Sequence, residues 1–156
     1  MKAITRYFSI ALLLALFSAN GFAKTCSAVG GAILTNLGGF GVIDGAPTTL
    51  GVATGDLKGA LGIQIVSAAS DFTSITVQHH WVTDAGETLN FDQATLHGAY
   101  VSQTLLGVTE YKIQLRGGTG RFSNATGDLS SIGEVDFSTG HTILRYSGTV
   151  CYGDGK

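Results

Sequence analysis

The sequence predicts an all-β domain, an antiparallel sheet curled round until its edge strands meet. Three observations point there. Segments of strict two-residue alternation recur, most clearly in Glu110 to Arg116, where Tyr111, Ile113 and Leu115 share one face and Glu110, Lys112, Gln114 and Arg116 the other. Glycine supplies 23 of the 156 residues and charged side chains only 13%, a composition suited to strands joined by tight turns and poorly suited to helices. The connection from Arg116 to Gly127 is dense in glycine, and residues without a Cβ let two chain segments approach closely at a barrel corner.

Taken in order, residues 1–23 read as a secretory signal and not as part of the fold. Lys2 and Arg6 form a positive start, Phe8 to Phe17 an apolar run of 10 residues, and Ser18 to Ala23 a small-residue stretch with cleavage expected after Ala23. The run is too short for a membrane span, which takes about 20 apolar residues. The pattern looks bacterial and implies a periplasmic or secreted protein. Ala28 to Gly45 is apolar and ends at the Asp44-Gly45-Ala46-Pro47 turn, which holds the only proline. Leu50 to Val66 is apolar again, with Gly51, Gly55, Gly59 and Gly62; a helix over Gly59 to Val66 would lose about 1 kcal/mol per glycine, and its β-branched residues favour strand. Ile75 to Val82 alternates, Thr83 to Glu87 is a hairpin turn, and Thr88 to Phe91 and Ala94 to Ser102 follow as short strands. Leu129 to Phe137 alternates less cleanly, and Thr142 to Val150 places Leu144 and Tyr146 opposite Arg145 and Ser147.

Without the first 23 residues, 133 remain, enough for one domain at 24–156 with one core. That portion carries seven basic and eleven acidic side chains, a net charge of −4. With no basic stripe, nucleic acid and anionic membrane surfaces are excluded as partners. Cys26 and Cys151 lie near its two ends and, in an oxidising compartment, read as one disulfide joining the first strand to the last. The rival reading, free thiols or half a metal site, lacks neighbouring Cys or His ligands.

Gly117-Gly-Thr-Gly-Arg-Phe122, followed by Ala125 and Gly127 and by a last strand ending Tyr146-Ser-Gly-Thr-Val-Cys151, resembles the barrel shared by allene oxide cyclases and dirigent proteins. Phe40-Gly-Val-Ile-Asp44 with the following Pro47-Thr-Thr49 is loosely similar to an early dirigent segment. The resemblance covers about residues 75–151 well and is faint before that. It implies an eight-stranded antiparallel barrel with a central cavity, often assembled as a homotrimer and needing no metal or organic cofactor. The cavity would hold a small apolar or phenolic, oxygenated molecule and steer its cyclisation or coupling, an isomerase-like or dirigent-like role. Two places where dirigent proteins tend to carry arginine hold Ser123 and Thr126, so the resemblance transfers the fold more than the activity.

If the apolar faces point inward, the lumen receives Ile75, Val77, His79 and Trp81 from one strand, Tyr111, Ile113 and Leu115 from another, and Leu144 and Tyr146 from the last. His79 and Tyr111 are then the candidate catalytic pair, an imidazole able to move a proton near neutral pH and a hydroxyl able to hold an oxygen. Trp81 and Tyr146 are candidate ligand contacts, with Asp44 a third on the dirigent-like segment. All four lumen groups also suit an ordinary core with locally satisfied polar atoms. His80 falls on the opposite face from His79, and His97 and His141 show no ligand spacing, so no metal site is expected. Gly117 to Gly120 lacks the Gly-Lys-Ser ending of a phosphate loop, and Asn124-Ala-Thr126 reads as turn chemistry. No Gly-x-Ser-x-Gly elbow or Cys-His pairing supports a hydrolase.

Two functions stand against each other, a cyclase-like or dirigent-like cavity protein and a non-catalytic binding or structural barrel. A void of about 300 Å³ or more with His79 and a tyrosine exposed to it marks the first. An interior filled by Trp81 and phenylalanines marks the second.

Overall fold

The structure, a computed structural model, describes residues 24–153, with the side chains of 37–41 left aside; the expected signal sequence lies outside the described residues. Nine strands follow one another: β1 (Thr25–Ile43), β2 (Ala46–Ala53), β3 (Gly59–Ala68), β4 (Ser74–Thr83), β5 (Thr88–Phe91), β6 (Ala94–Tyr100), β7 (Leu105–Gly118), β8 (Thr126–Asp136) and β9 (His141–Tyr152). Every pairing is antiparallel, and β3 pairs with β4 while β1 pairs with β9, so the sheet closes. β5 and β6 both bridge β4 to β7 and share one place in the wall, so nine strands build a closed eight-stranded barrel. This is the fold the resemblance implied.

Alternation decides which side chains face in. On β4, Ile75, Val77, His79, Trp81 and Thr83 are buried, while His80 and Val82 are exposed. On β7 a bulge between Val108 and Lys112 inserts a residue, which switches the inward set from Leu106 and Val108 to Tyr111, Ile113 and Leu115. The less clean alternation of β8 has a simple reason. Ser131 takes an inward place between Leu129 and Val135, while Gly133 is exposed and Ile132, 61% exposed, faces solvent.

The run from Leu50 to Val66 divides at Gly55–Leu57, a turn of 3-10 helix, instead of continuing as strand. That turn caps one end of the barrel. Leu57 is fully buried there, its backbone N–H donates to the Tyr146 hydroxyl (3.0 Å), and its carbonyl accepts from Trp81 Nε1 (2.9 Å). Tyr146 in turn donates to the Thr54 carbonyl (2.8 Å). Gly31 on β1 permits this arrangement, because a Cβ there would collide with the Thr54 carbonyl and the Tyr146 hydroxyl.

The motif carrying the resemblance closes the same end. Gly120, with φ 57, turns the β7–β8 connection so that Phe122 is fully buried; the Arg121 N–H donates to Glu87 (2.8 Å) and the Thr88 N–H to Thr119 (2.8 Å). Cys26 and Cys151 sit directly opposite each other on β1 and β9 and form the expected disulfide, 125 residues apart in the chain. Among the described residues no helix is long and apolar enough to cross a membrane.

Candidate functional site

The opposite end of the barrel is hollow. A cavity of about 280 Å³ opens between the β3–β4 and β8–β9 connections. Ile63, Ile65, Ile75 and Val77 make one wall, Val135, Phe137 and Leu144 another, and Phe72 stands at the mouth with its ring 5.6 Å from that of Phe137. Tyr111 and the threonines Thr35, Thr49 and Thr142 also line the cavity, but they present almost only apolar atoms to it, and the Thr35 and Thr49 hydroxyls are buried. No lining residue carries a charge.

Tyr111 forms part of the cavity surface and backs onto His79. Its hydroxyl lies 2.6 Å from His79 Nε2, with the rings stacked at 5.8 Å. The bulge in β7 sets this contact, because without the inserted residue Tyr111 would point outward. His79 is 3% exposed, does not line the cavity and lies against Phe91, with ring centroids 5.4 Å apart. Burial, with a smaller push from His80, lowers its pKa from 6.5 to about 4. It is therefore neutral at neutral pH. Burial likewise pushes the Tyr111 phenol well above its ordinary range.

These shifts bear on one sequence expectation. His79 was expected to move a proton near neutral pH, and burial favours its neutral form there. Either proton arrangement leaves Tyr111 a free function. If Nε2–H donates, the phenolic O–H is left unspent; if Tyr111 donates, its oxygen can still accept. His79 Nδ1 is buried without a hydrogen-bond partner.

The remaining candidates lie elsewhere. Trp81 and Tyr146 do not line the cavity. They fill the closed end, ring edge against ring face at 5.9 Å, with their polar atoms bonded to backbone. Asp44 is exposed at the tip of the β1–β2 hairpin with φ 49, a turn position distant in role from the lumen. The structure brings the two expected residues His79 and Tyr111 into contact, and the cavity-lining threonines were not among the sequence candidates. Thr35 and Thr142 share the inward phase of Ile33 and Leu144, and that phase was the available signal.

The fold and site define a class, a small closed antiparallel barrel with one solid end and one uncharged cavity. Among solved structures, one it matches is a pterocarpan synthase dirigent protein, at 14% identity and a TM-score of 0.37, over 97% of this chain and 100% of that one. No protein-family model matches the chain, and no curated protein matches its sequence. The barrel assignment stands on the strand pairing itself.

Proposed function

We propose that the protein binds one small, apolar, oxygen-bearing molecule in the open-ended cavity, with an oxygen of the ligand on Tyr111. The observation that carries this is the apolar, uncharged cavity itself, with Tyr111 in its lining and the Tyr111 hydroxyl held by His79 at 2.6 Å beside it. Apolar surface with few fixed polar groups is the usual make-up of a ligand pocket, and about 280 Å³ stands at the small end of the roughly 300–1,000 Å³ range. A single-ring compound suits it better than a long chain.

Steering of a cyclisation or coupling is the finer form of the proposal. A cavity that holds a reactive molecule in one conformation away from water supports it. Proton transfer by His79 or Tyr111 at neutral pH does not, because both pKa values are driven away from 7. The reading therefore assigns the cavity a shaping role. A purely structural barrel is the second reading, favoured by the closed end, where Leu57, Trp81, Phe122 and Tyr146 leave no room. Export belongs to the same proposal, supported by the signal-like residues 1–23 and the disulfide. So does trimer formation, which sedimentation of the purified protein checks.

The test is mass spectrometry of small molecules released from the purified protein, beside the Tyr111→Phe variant. The proposal expects an uncharged aromatic or cyclic compound from the wild type, and binding about tenfold weaker in the variant at the cost of one hydrogen bond. An unliganded wild type that also ignores single-ring phenols at millimolar concentration overturns it in favour of the structural barrel.

A further inference from the structure

We propose that Phe72 decides what the cavity admits: its ring stands across the mouth against Phe137 and must swing aside before a ligand passes. The inference rests on the ligand-binding reading above and adds to it the point of entry and a limit on ligand length.

Phe72 lies in the β3–β4 connection with φ 56, in the left-handed region. For a bulky residue that is a genuine outlier, and glycine would hold the same turn without strain. Burial does not explain the phenylalanine, because 44% of it remains exposed. Such strain persists only where the surroundings impose it, and it concentrates at ligand clamps and switch regions. Here the turn is fastened on both sides. The Phe72 N–H donates to the Ala69 carbonyl (3.0 Å), and the Asp71 carboxylate accepts from the Thr73 N–H (3.1 Å) and hydroxyl (2.8 Å). The ring is thereby aimed at the edge of the cavity, which Phe72 and Phe137 line together.

The two sides of the mouth are unlike. Phe137 is the fixed side. It packs half-buried on the core, its N–H donates to the Thr104 carbonyl (2.8 Å), and the Tyr100 ring lies 6.2 Å from its own. Phe72 is the exposed side, and its ring meets Phe137 at 5.6 Å with the planes tilted by 49°. A contact of this kind favours the closed ring roughly 2- to 12-fold, so association through the open fraction slows by the same factor. Length then matters. Roughly 17 Å of strand separates His79 from Ser74 at the start of β4, so a one-ring phenol on Tyr111 stays below the mouth and a two-ring phenol reaches it. The longer ligand must hold the ring open.

Fluorine NMR exchange on the purified protein tests this with 4-fluorophenol and 4-(4-fluorophenyl)phenol. Phe72→Gly should raise the association and dissociation rates of 4-fluorophenol alike, about fivefold, with a far smaller change in Kd. A ring that merely touched the ligand would alter dissociation and leave association alone. The two-ring probe should bind about fivefold tighter to Phe72→Gly than to the wild type. Phe72→Tyr, which keeps the ring, should keep exchange slow. In thermal unfolding Phe72→Gly should melt a few degrees above Phe72→Ala; the reverse order overturns the proposal, since no strain would then aim the ring. If 4-fluorophenol enters wild type and Phe72→Gly at the same rate, the proposal is wrong and the ligand-binding reading stands. If neither protein binds either probe at millimolar concentration, both fall.

Discussion

Replacing His79 by glutamine should remove a defined part of the acid sensitivity of this fold. His79 titrates near 4 in the native barrel against 6.5 in an open chain, with burial as the main cause. As pH falls below 6.5 the unfolded chain takes up a proton that native His79 refuses until about pH 4. Native stability from this group is thus full above pH 6.5, drains away through the window, and reaches its floor below pH 4. A gap of this size removes about 3 kcal/mol between pH 7 and pH 4. Glutamine does not titrate but keeps a hydrogen-bonding group toward Tyr111. The assay is urea unfolding of wild type and His79→Gln at both pH values, read by circular dichroism. The exposed carboxylates Asp71, Glu110 and Asp136 have pKa values held low by hydrogen bonds from neighbouring side chains and backbone, so their stabilisation is lost only toward and below the acid end of this window. They contribute equally to both proteins and cancel in the difference. The variant should lose about 3 kcal/mol less than the wild type on acidification, whatever its stability at pH 7. Equal losses would refute the buried, neutral imidazole and with it the account of how Tyr111 is held.

Two further outcomes follow from the closed end. Tyr146→Phe keeps the ring but leaves the Leu57 N–H and Thr54 carbonyl without their shared partner, so urea unfolding should show a loss of about 2–4 kcal/mol, with cavity binding unchanged. Exchanging Cys26 and Cys151 together for serine frees a loop spanning 125 residues and should lower stability by about 4–5 kcal/mol, measured as unfolding with and without reductant.

Local chemistry made much of this protein legible before its structure. Alternation in Ile75 to Val82 and Glu110 to Arg116 assigned the inward faces, because successive strand side chains must point to opposite sides. The same alternation put His79 and Tyr111 in one lumen, while turn chemistry gave the Asp44-Gly45 turn and the cysteine count in an oxidising compartment gave the terminal disulfide. The motif Gly117 to Phe122 was recognisable for what it builds, a corner, and for that reason said nothing about the cavity at the other end. What tertiary structure decided was the division of the lumen. Period-two patterning tells which residues face in but not how far along the axis each lies. Trp81 and Tyr146 therefore looked equivalent to Tyr111 until the strand register and the Gly55–Leu57 turn placed them in the solid half. Thr35 and Thr49 sit on consecutive strands, while Thr142 comes from the last one, and the pairing of first strand with last brings all three to the wall of one cavity. Burial, likewise a property of the whole barrel, lowers the pKa of His79 and sets its ring against Tyr111.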